Sequence, residues 1–279
     1  MQMRHASDWF ARSATVAVLT LFAVIAVYPI VFMVLSSFKT IVEYINDPVG
    51  WPATFRYIEN YQAMIYRFNV PRLFGNTIWY VLLATVLSLA VSVPASFAFA
   101  KLRFRFSQGL RTLMIATLIV PAMTLLVPTY VLFANLGLVD SYISVVLIWA
   151  ATSVPGSVFL LSSLMRAIPT EVLEAARIDG AGYFQMMRRV VLPLSGPGIL
   201  TVTIFNVTVW WNDLLIPLVF LQSDETKTIT VAAATIMGRF SSDTPMLITG
   251  LLFASLPPIL VYIFLQRYIR RGLVVGALK

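Results

Sequence analysis

Long apolar runs, separated by short stretches that hold nearly all the charge, organise this chain. They cover residues 14–37, 76–100, 112–133, 142–164, 198–221 and 247–266. A bilayer's hydrocarbon core of about 30 Å takes roughly 20 apolar residues per helix, so each run predicts one membrane-spanning helix. Five of the six contain no Asp, Glu, Lys, Arg or His, and the exception, 198–221, carries Asp213. The runs are continuously apolar and lack the two-residue alternation of outer-membrane strands, which favours helices over a barrel. The uncharged stretch 13–38 is longer than the apolar region of a signal peptide and reads as a retained first span.

Composition agrees with the pattern. Of 279 residues 59% are hydrophobic and 11% charged, whereas soluble domains carry roughly a quarter charged residues. The expected fold is an all-α membrane protein with six transmembrane helices in one domain, 1–279. Cysteine is absent and His5 is the one histidine, so thiol chemistry, metal clusters and histidine-based triads have no raw material. The net charge of +8 suits either nucleic acid or a membrane protein obeying the positive-inside rule, and the placement of the charges decides. Fourteen Lys and Arg fall before residue 13, in 101–111, in 166–189 and after 266, against six in the alternate connections. That bias predicts both termini in the cytoplasm and no nucleic-acid partner.

The connection 39–75 is rich in aromatics. Tyr57, Ile58, Tyr61 and Ile65 follow helical spacing, which suits a helix lying flat at the interface, for packing or for contact with a partner. The connection 135–141 is short, so the helices it joins should be antiparallel neighbours.

The segment 166–197 carries the strongest local signal. It reads as two short helices around a glycine hinge: Thr170 after Pro169 is positioned to cap the first, and Glu171 and Glu174 sit at its N-terminal, dipole-favoured end. Gly180 and Gly182 end that helix. Tyr183 to Val190 form the second, with Arg188 and Arg189 in its last turn and Pro193 and Pro197 marking its exit. Small Ala175, Ala176 and Ala181 beside Val172, Leu173 and Ile178 suit docking into another protein. Equally, the loop could simply cap the ends of the fourth and fifth spans.

Glu174-Ala175-Ala176 followed by Gly180 and then Leu192-Pro193 resembles the loop of maltose-type, carbohydrate permease subunits of binding-protein-dependent ABC importers. The resemblance extends over most of the chain, through Ser37-Phe38-Lys39, Glu59-Asn60-Tyr61, Asn76-Thr77, Gly137-Leu138-Val139-Asp140-Ser141-Tyr142, Trp211-Asn212-Asp213 and the closing Gly272 to Lys279. It implies that the loop is a coupling helix-turn-helix seated on a cytoplasmic ATPase, with Glu174, Ala175, Ala176, Asp179 and Gly180 at the contact. It implies further that a tail over 267–279, with Gly272, Gly276 and Lys279, reaches the ATPases. Val274-Val275 departs from the Thr-Ala of many relatives, and the frequent final Gly is missing. The implied partners are a homologous permease, two cytoplasmic ATPase subunits and an extracytoplasmic solute-binding protein, in a bacterial or archaeal inner membrane. ATP and magnesium would sit on the ATPase. This chain has no G-x-x-x-x-G-K-[ST] run of its own.

Asp213 would lie roughly 22 Å along its span, where a carboxylate is costly unless it meets a cavity or a partner. With Asn206, Trp210 and Asn212 it could line a substrate path, since sugar sites combine aromatic faces with a few hydrogen-bonding groups. It could instead bond neighbouring helices or backbone freed by Pro217, and Trp210 and Trp211 could be interfacial anchors. The expected function is import of a sugar or polyol, with no enzymatic activity in this chain. A self-contained secondary transporter or channel is the alternative, and a membrane enzyme finds little support because Asp213 has no visible catalytic companion.

Overall fold

The computed structural model describes the backbone of residues 2–239 and 243–277 and the side chains of 12–235 and 243–264. Every regular element among the described residues is helical. Four helices are long and apolar enough to cross a membrane, and two sharply bent helix pairs raise that to six if each pair is one span. The chain separates into two compact units, Met1–Val70 with Thr235–Ser255, and Pro71–Ala234 with Leu256–Lys279.

In the first unit, helix α1 (Gln2–Ser37) leaves its apolar side chains uncovered by the rest of the unit, as a lipid- or partner-facing helix does. Its end is tied down by polar latches. Lys39 is 1% exposed, and its Nζ donates to the carbonyls of Asp47 (2.7 Å) and Pro48 (3.3 Å), just past helix α2 (Ile41–Asn46). There the helix dipole favours a cation. Asn60 Nδ2 donates to the carbonyls of Ser37 (2.9 Å) and Lys39 (3.0 Å), which α1 leaves without a partner. Ser37 Oγ and Tyr61 Oη lie 2.6 Å apart, and the Phe38 and Tyr61 rings 5.2 Å. Helix α3 (Glu59–Gln62) runs on through a π turn, Ala63–Arg67. Its inward face is Asn60 and Met64, while Ile58 and Ile65 are exposed. The helix starts only at Glu59, so Tyr57 and Ile58 of the expected Tyr57–Ile65 face precede it.

The second unit is built on helices α4 (Val70–Lys101) and α7 (Tyr142–Arg166). Ser88, Ser92 and Ser96, four residues apart, are wholly buried along one stripe of α4. Ser88 Oγ meets Ser153 Oγ at 2.8 Å, and Ser96 bonds back to the Ser92 carbonyl at 2.6 Å. Small residues at this spacing let helices approach closely where no hydrophobic force drives them together.

Helix α5 (Ser107–Ile119) and the pair formed by the 3₁₀ turn Ala122–Leu125 and helix α6 (Leu126–Asn135) meet at 91°. The single helix expected over 112–133 is thus broken in two. Pro121 has no N–H to continue the ladder and holds Val120 extended (ψ 118°). Helix α11 (Gly196–Trp211) ends before Asp213, and α12 (Leu215–Phe220) follows. Helices α13 (Ile229–Arg239) and α14 (Thr244–Ala277) complete the chain.

Candidate functional site

Helix α8 (Thr170–Ile178) opens the loop. Thr170 is its first residue and does not cap it; Pro169, extended at ψ 138°, occupies the capping position. The preceding segment is held by Lys101, whose Nζ donates to the carbonyls of Ile168 (2.5 Å) and Arg166 (3.3 Å). The inward face of α8 is Leu173 and Ala176, packed with Phe97, Met165, Met186 and Val191. Glu171, Val172, Glu174, Ala175, Ile178 and Asp179 are exposed, Ile178 at 86%.

The helix ends in a full Schellman motif. Ala181 N donates to the Ala176 carbonyl (2.9 Å) and Gly180 N to the Arg177 carbonyl (3.0 Å), with Gly180 at φ +83°. Gly182 does not share in this stop. At φ −72° it opens the next helix, α9 (Tyr183–Met186), and its N–H donates to Gln185 Oε1 at 3.1 Å. Nor does Pro193 end the second helix. A π turn over Met187–Val191 precedes the short helix α10 (Leu192–Leu194), and Leu192 N donates to the Met187 carbonyl. The widened turn accommodates the proline's missing donor. Arg188 and Arg189 consequently sit in that π turn. The α9–α10 arm then meets α11 at 75°.

Tyr183 and Phe184 are 58% and 67% exposed, so each helix of the loop leaves large apolar side chains uncovered, as Ile178 does on α8. Tyr183 also lines a groove of about 430 Å³ where Glu174 and Arg177 stand with Lys101, Arg103 and Arg166. Of the proposed tail residues, Gly272 and Gly276 lie in the backbone of α14, their surroundings outside the described side chains. Lys279 lies outside the described residues altogether.

The intramembrane polar residues divide into two groups. Asn206 and Trp210 line one cavity of about 380 Å³ with Thr152, Ser153, Gly156 and Ser157. Asn206 Nδ2 donates to Ser157 Oγ at 3.1 Å, which leaves its amide oxygen and second N–H unused. The Trp210 ring stacks on Trp149 at 6.1 Å. Asp213 does not join them: Oδ2 accepts from Trp149 Nε1 (2.7 Å), and Oδ1 accepts from the backbone of Leu215 (3.0 Å) and Ile216 (3.4 Å). Asn212 is exposed, and its Nδ2 returns to the Thr208 carbonyl at 2.8 Å. Asp213 is thus a cap for α12 and an anchor for Trp149. Thr152, Ser153 and Ser157 escaped notice in the sequence, although the run Thr152-Ser153-Val154-Pro155-Gly156-Ser157 is an unusual density of small polar residues within an apolar span.

Asp140, present in one of the sequence motifs without an assigned role, is a clamp. Its N–H donates to the Phe220 carbonyl at 2.8 Å. Its Oδ1 accepts from Gln222 N (2.9 Å), Ser223 N (3.0 Å), Ser223 Oγ (3.1 Å) and Thr226 Oγ1 (2.7 Å). Partial burial pushes this carboxyl up, but the hydrogen bonds from Ser223, Thr226 and Gln222 outweigh it and hold the group down at about 2. From α4, Asn76 Nδ2 reaches the carbonyls of Glu225 (2.8 Å) and Lys227 (3.1 Å), and Thr77 Oγ1 accepts from Ile229 N (3.0 Å). The irregular stretch 222–228 is thereby satisfied from both sides.

Residues 92–275 match the family described as binding-protein-dependent transport system inner membrane component. The arabinooligosaccharides transport system permease protein AraQ of Halalkalibacterium halodurans is 31% identical over 92% of each chain. The lactose transport system permease protein LacG of Rhizobium radiobacter is 29% identical over 94% of each. Among solved structures, a chain of a bacterial ABC transporter that imports the acidic polysaccharide alginate superposes with a TM-score of 0.80. It is 22% identical, and the match covers 94% of this chain and 97% of that one.

Proposed function

Because this chain belongs to the family of inner membrane components of binding-protein-dependent transport systems, we propose that it is the permease subunit through which an importer of a sugar or related polyol converts ATPase closure into alternating access. Family membership makes it a multi-pass transport component of the inner membrane that works with a solute-binding protein, and not an enzyme. Sugar as the substrate class follows from its likeness to AraQ and LacG, whose names specify arabino-oligosaccharides and lactose.

The single observation that carries the mechanism is the construction of α8. One face is bolted by Leu173 and Ala176 to the cluster holding Phe97 of α4 and Met165 of α7, while the opposite face offers Glu174, Ala175, Ile178 and Asp179 to a partner. A cytoplasmic ATPase subunit, carrying ATP and magnesium, seats on that face. Gly180 supplies the turn, and a second, homologous permease pairs with this one across the path. The excess of basic residues in the loops on that side supports cytoplasmic termini and a cytoplasmic loop. The tail with Gly272, Gly276 and Lys279 makes a further ATPase contact. Asn206 and Trp210, with Ser157, contribute hydrogen bonds and an aromatic face to the passing sugar. Asp213 serves the scaffold.

The test is co-purification and uptake. The tagged chain, expressed with its partner subunits, should bring an ATPase with it and support ATP-dependent uptake. Replacing Ile178 and Ala175 together by Glu should release the ATPase. An ATPase that stays bound to that variant, with normal uptake, would overturn the docking face.

A further inference from the structure

A separate cavity of about 150 Å³ lies between α5 and the end of α7, beside Phe99 of α4. Its walls combine apolar Met114, Leu118 and Phe159 with Arg111, Arg166 and Ser163. Arg111 is held in place: Nη2 donates to the Phe99 carbonyl at 3.1 Å, and the guanidinium stands over the Phe99 ring at 5.9 Å. Arg166 is the last residue of α7, and both guanidinium-bearing side chains line this one cavity.

Neither forms an ion pair with a described carboxylate, although Arg166 also borders the groove that holds Glu174. Between residues 101 and 169 the sole acidic residue is Asp140, and its carboxylate is committed to Ser223 and Thr226. Two like charges at the wall of an apolar cavity are costly without an anion. They stand near the start of α5 and at the end of α7, where a bilayer crossed by these apolar helices would present its phosphates. A soluble anion would leave the apolar wall unused, and so would a carboxylate from a neighbouring subunit. Basic pockets between helix ends are a recognised setting for anionic headgroups.

We infer that this cavity holds an anionic phospholipid, its headgroup phosphate between Arg111 and Arg166 and an acyl chain along Met114, Leu118 and Phe159. A zwitterionic lipid is disfavoured, because its headgroup cation meets the same two arginines. Leu118 also lines the cavity of Asn206 and Trp210, so the test reads lipid retention and not uptake.

The full chain, purified with its partner subunits, is exchanged into micelles containing phosphatidylglycerol and phosphatidylcholine, and retained lipids are counted by native mass spectrometry. The wild type should keep phosphatidylglycerol in preference to phosphatidylcholine. The Arg111→Gln/Arg166→Gln double variant should bind it roughly thirtyfold more weakly. Arg105→Gln should change nothing, since that guanidinium stands over Phe106 at 5.3 Å and does not line the cavity. Ser163→Asp places a carboxylate in the cavity with both arginines intact; it should expel the lipid, and it decides the matter if the double variant fails to assemble. Equal retention by wild type, Ser163→Asp and any double variant that assembles overturns the inference. So does displacement of the lipid by millimolar inorganic phosphate. A wild type without anionic lipid, combined with loss of the second permease on arginine substitution, would assign the charges to a protein carboxylate instead.

Discussion

Trp149 donates its indole N–H to Asp213 Oδ2 at 2.7 Å while its ring stacks on Trp210, so a carboxylate within the apolar run 198–221 is consumed by the scaffold. Removing it should cost stability and not solute selectivity. Asp213→Ala loses the charge-assisted bond and the α12 cap together, about 2–4 kcal/mol. Asp213→Asn, which keeps an acceptor, should lose less. Thermal unfolding of the purified complex measures the first effect, and uptake by the folded Asp213→Asn protein should stay within about twofold of wild type. A changed solute preference would return Asp213 to the path.

The two glycines of the loop should behave differently. Gly180 sits at φ +83°, where a side chain costs about 1–2 kcal/mol, and proline cannot adopt that angle or donate to the Arg177 carbonyl. Gly180→Pro should insert normally yet lose about 90% or more of ATP-dependent uptake. Gly182 is at φ −72° with open space around its Cα, so Gly182→Ala should be near neutral in the same vesicle assay.

Asn206 has unused hydrogen-bonding capacity in the cavity it shares with Ser157. Asn206→Leu should raise the solute concentration giving half-maximal uptake by roughly five- to thirtyfold, the worth of one or two hydrogen bonds. The unfolding temperature should move little. An unchanged half-saturation value would remove Asn206 from the path.

Asp140 gives the stability a pH dependence of defined sign. Its carboxyl is held down at about 2, against 3.8 unperturbed. The folded state therefore binds this proton less readily than the unfolded state does. The stabilisation is complete above about pH 4 and is lost as pH falls toward 2. Asp140→Asn should be less stable than wild type at neutral pH, and the gap should narrow across that acid window. Unfolding temperatures against pH check it.

Much of the architecture could be read from the chain alone, because uninterrupted apolar length and the exclusion of charge are local properties. The α8 stop was equally legible, since Gly180 must answer a local steric demand. What escaped was non-local. Nothing near Asp213 announces that its partner lies 64 residues earlier, and nothing near Asn60 announces that the carbonyls of Ser37 and Lys39 need its amide. The bend at Pro121 was hidden by hydropathy, which registers no change there, and the π turn by Pro193, which normally signals an end. Several short motifs outside the loop proved to be latches. Ser37-Phe38-Lys39 locks to Glu59-Asn60-Tyr61. Asn76-Thr77 and Asp140 hold the segment between α12 and α13.

The 75° elbow between the α9–α10 arm and α11 has a mechanical result. The short arm carries exposed Phe184, and the long arm carries Val202, Asn206 and Trp210 on the cavity wall. If an ATPase does seat on the loop, two rods meeting at such an angle would act as a crank, turning a push on the aqueous arm into a swing of the arm that lines the cavity.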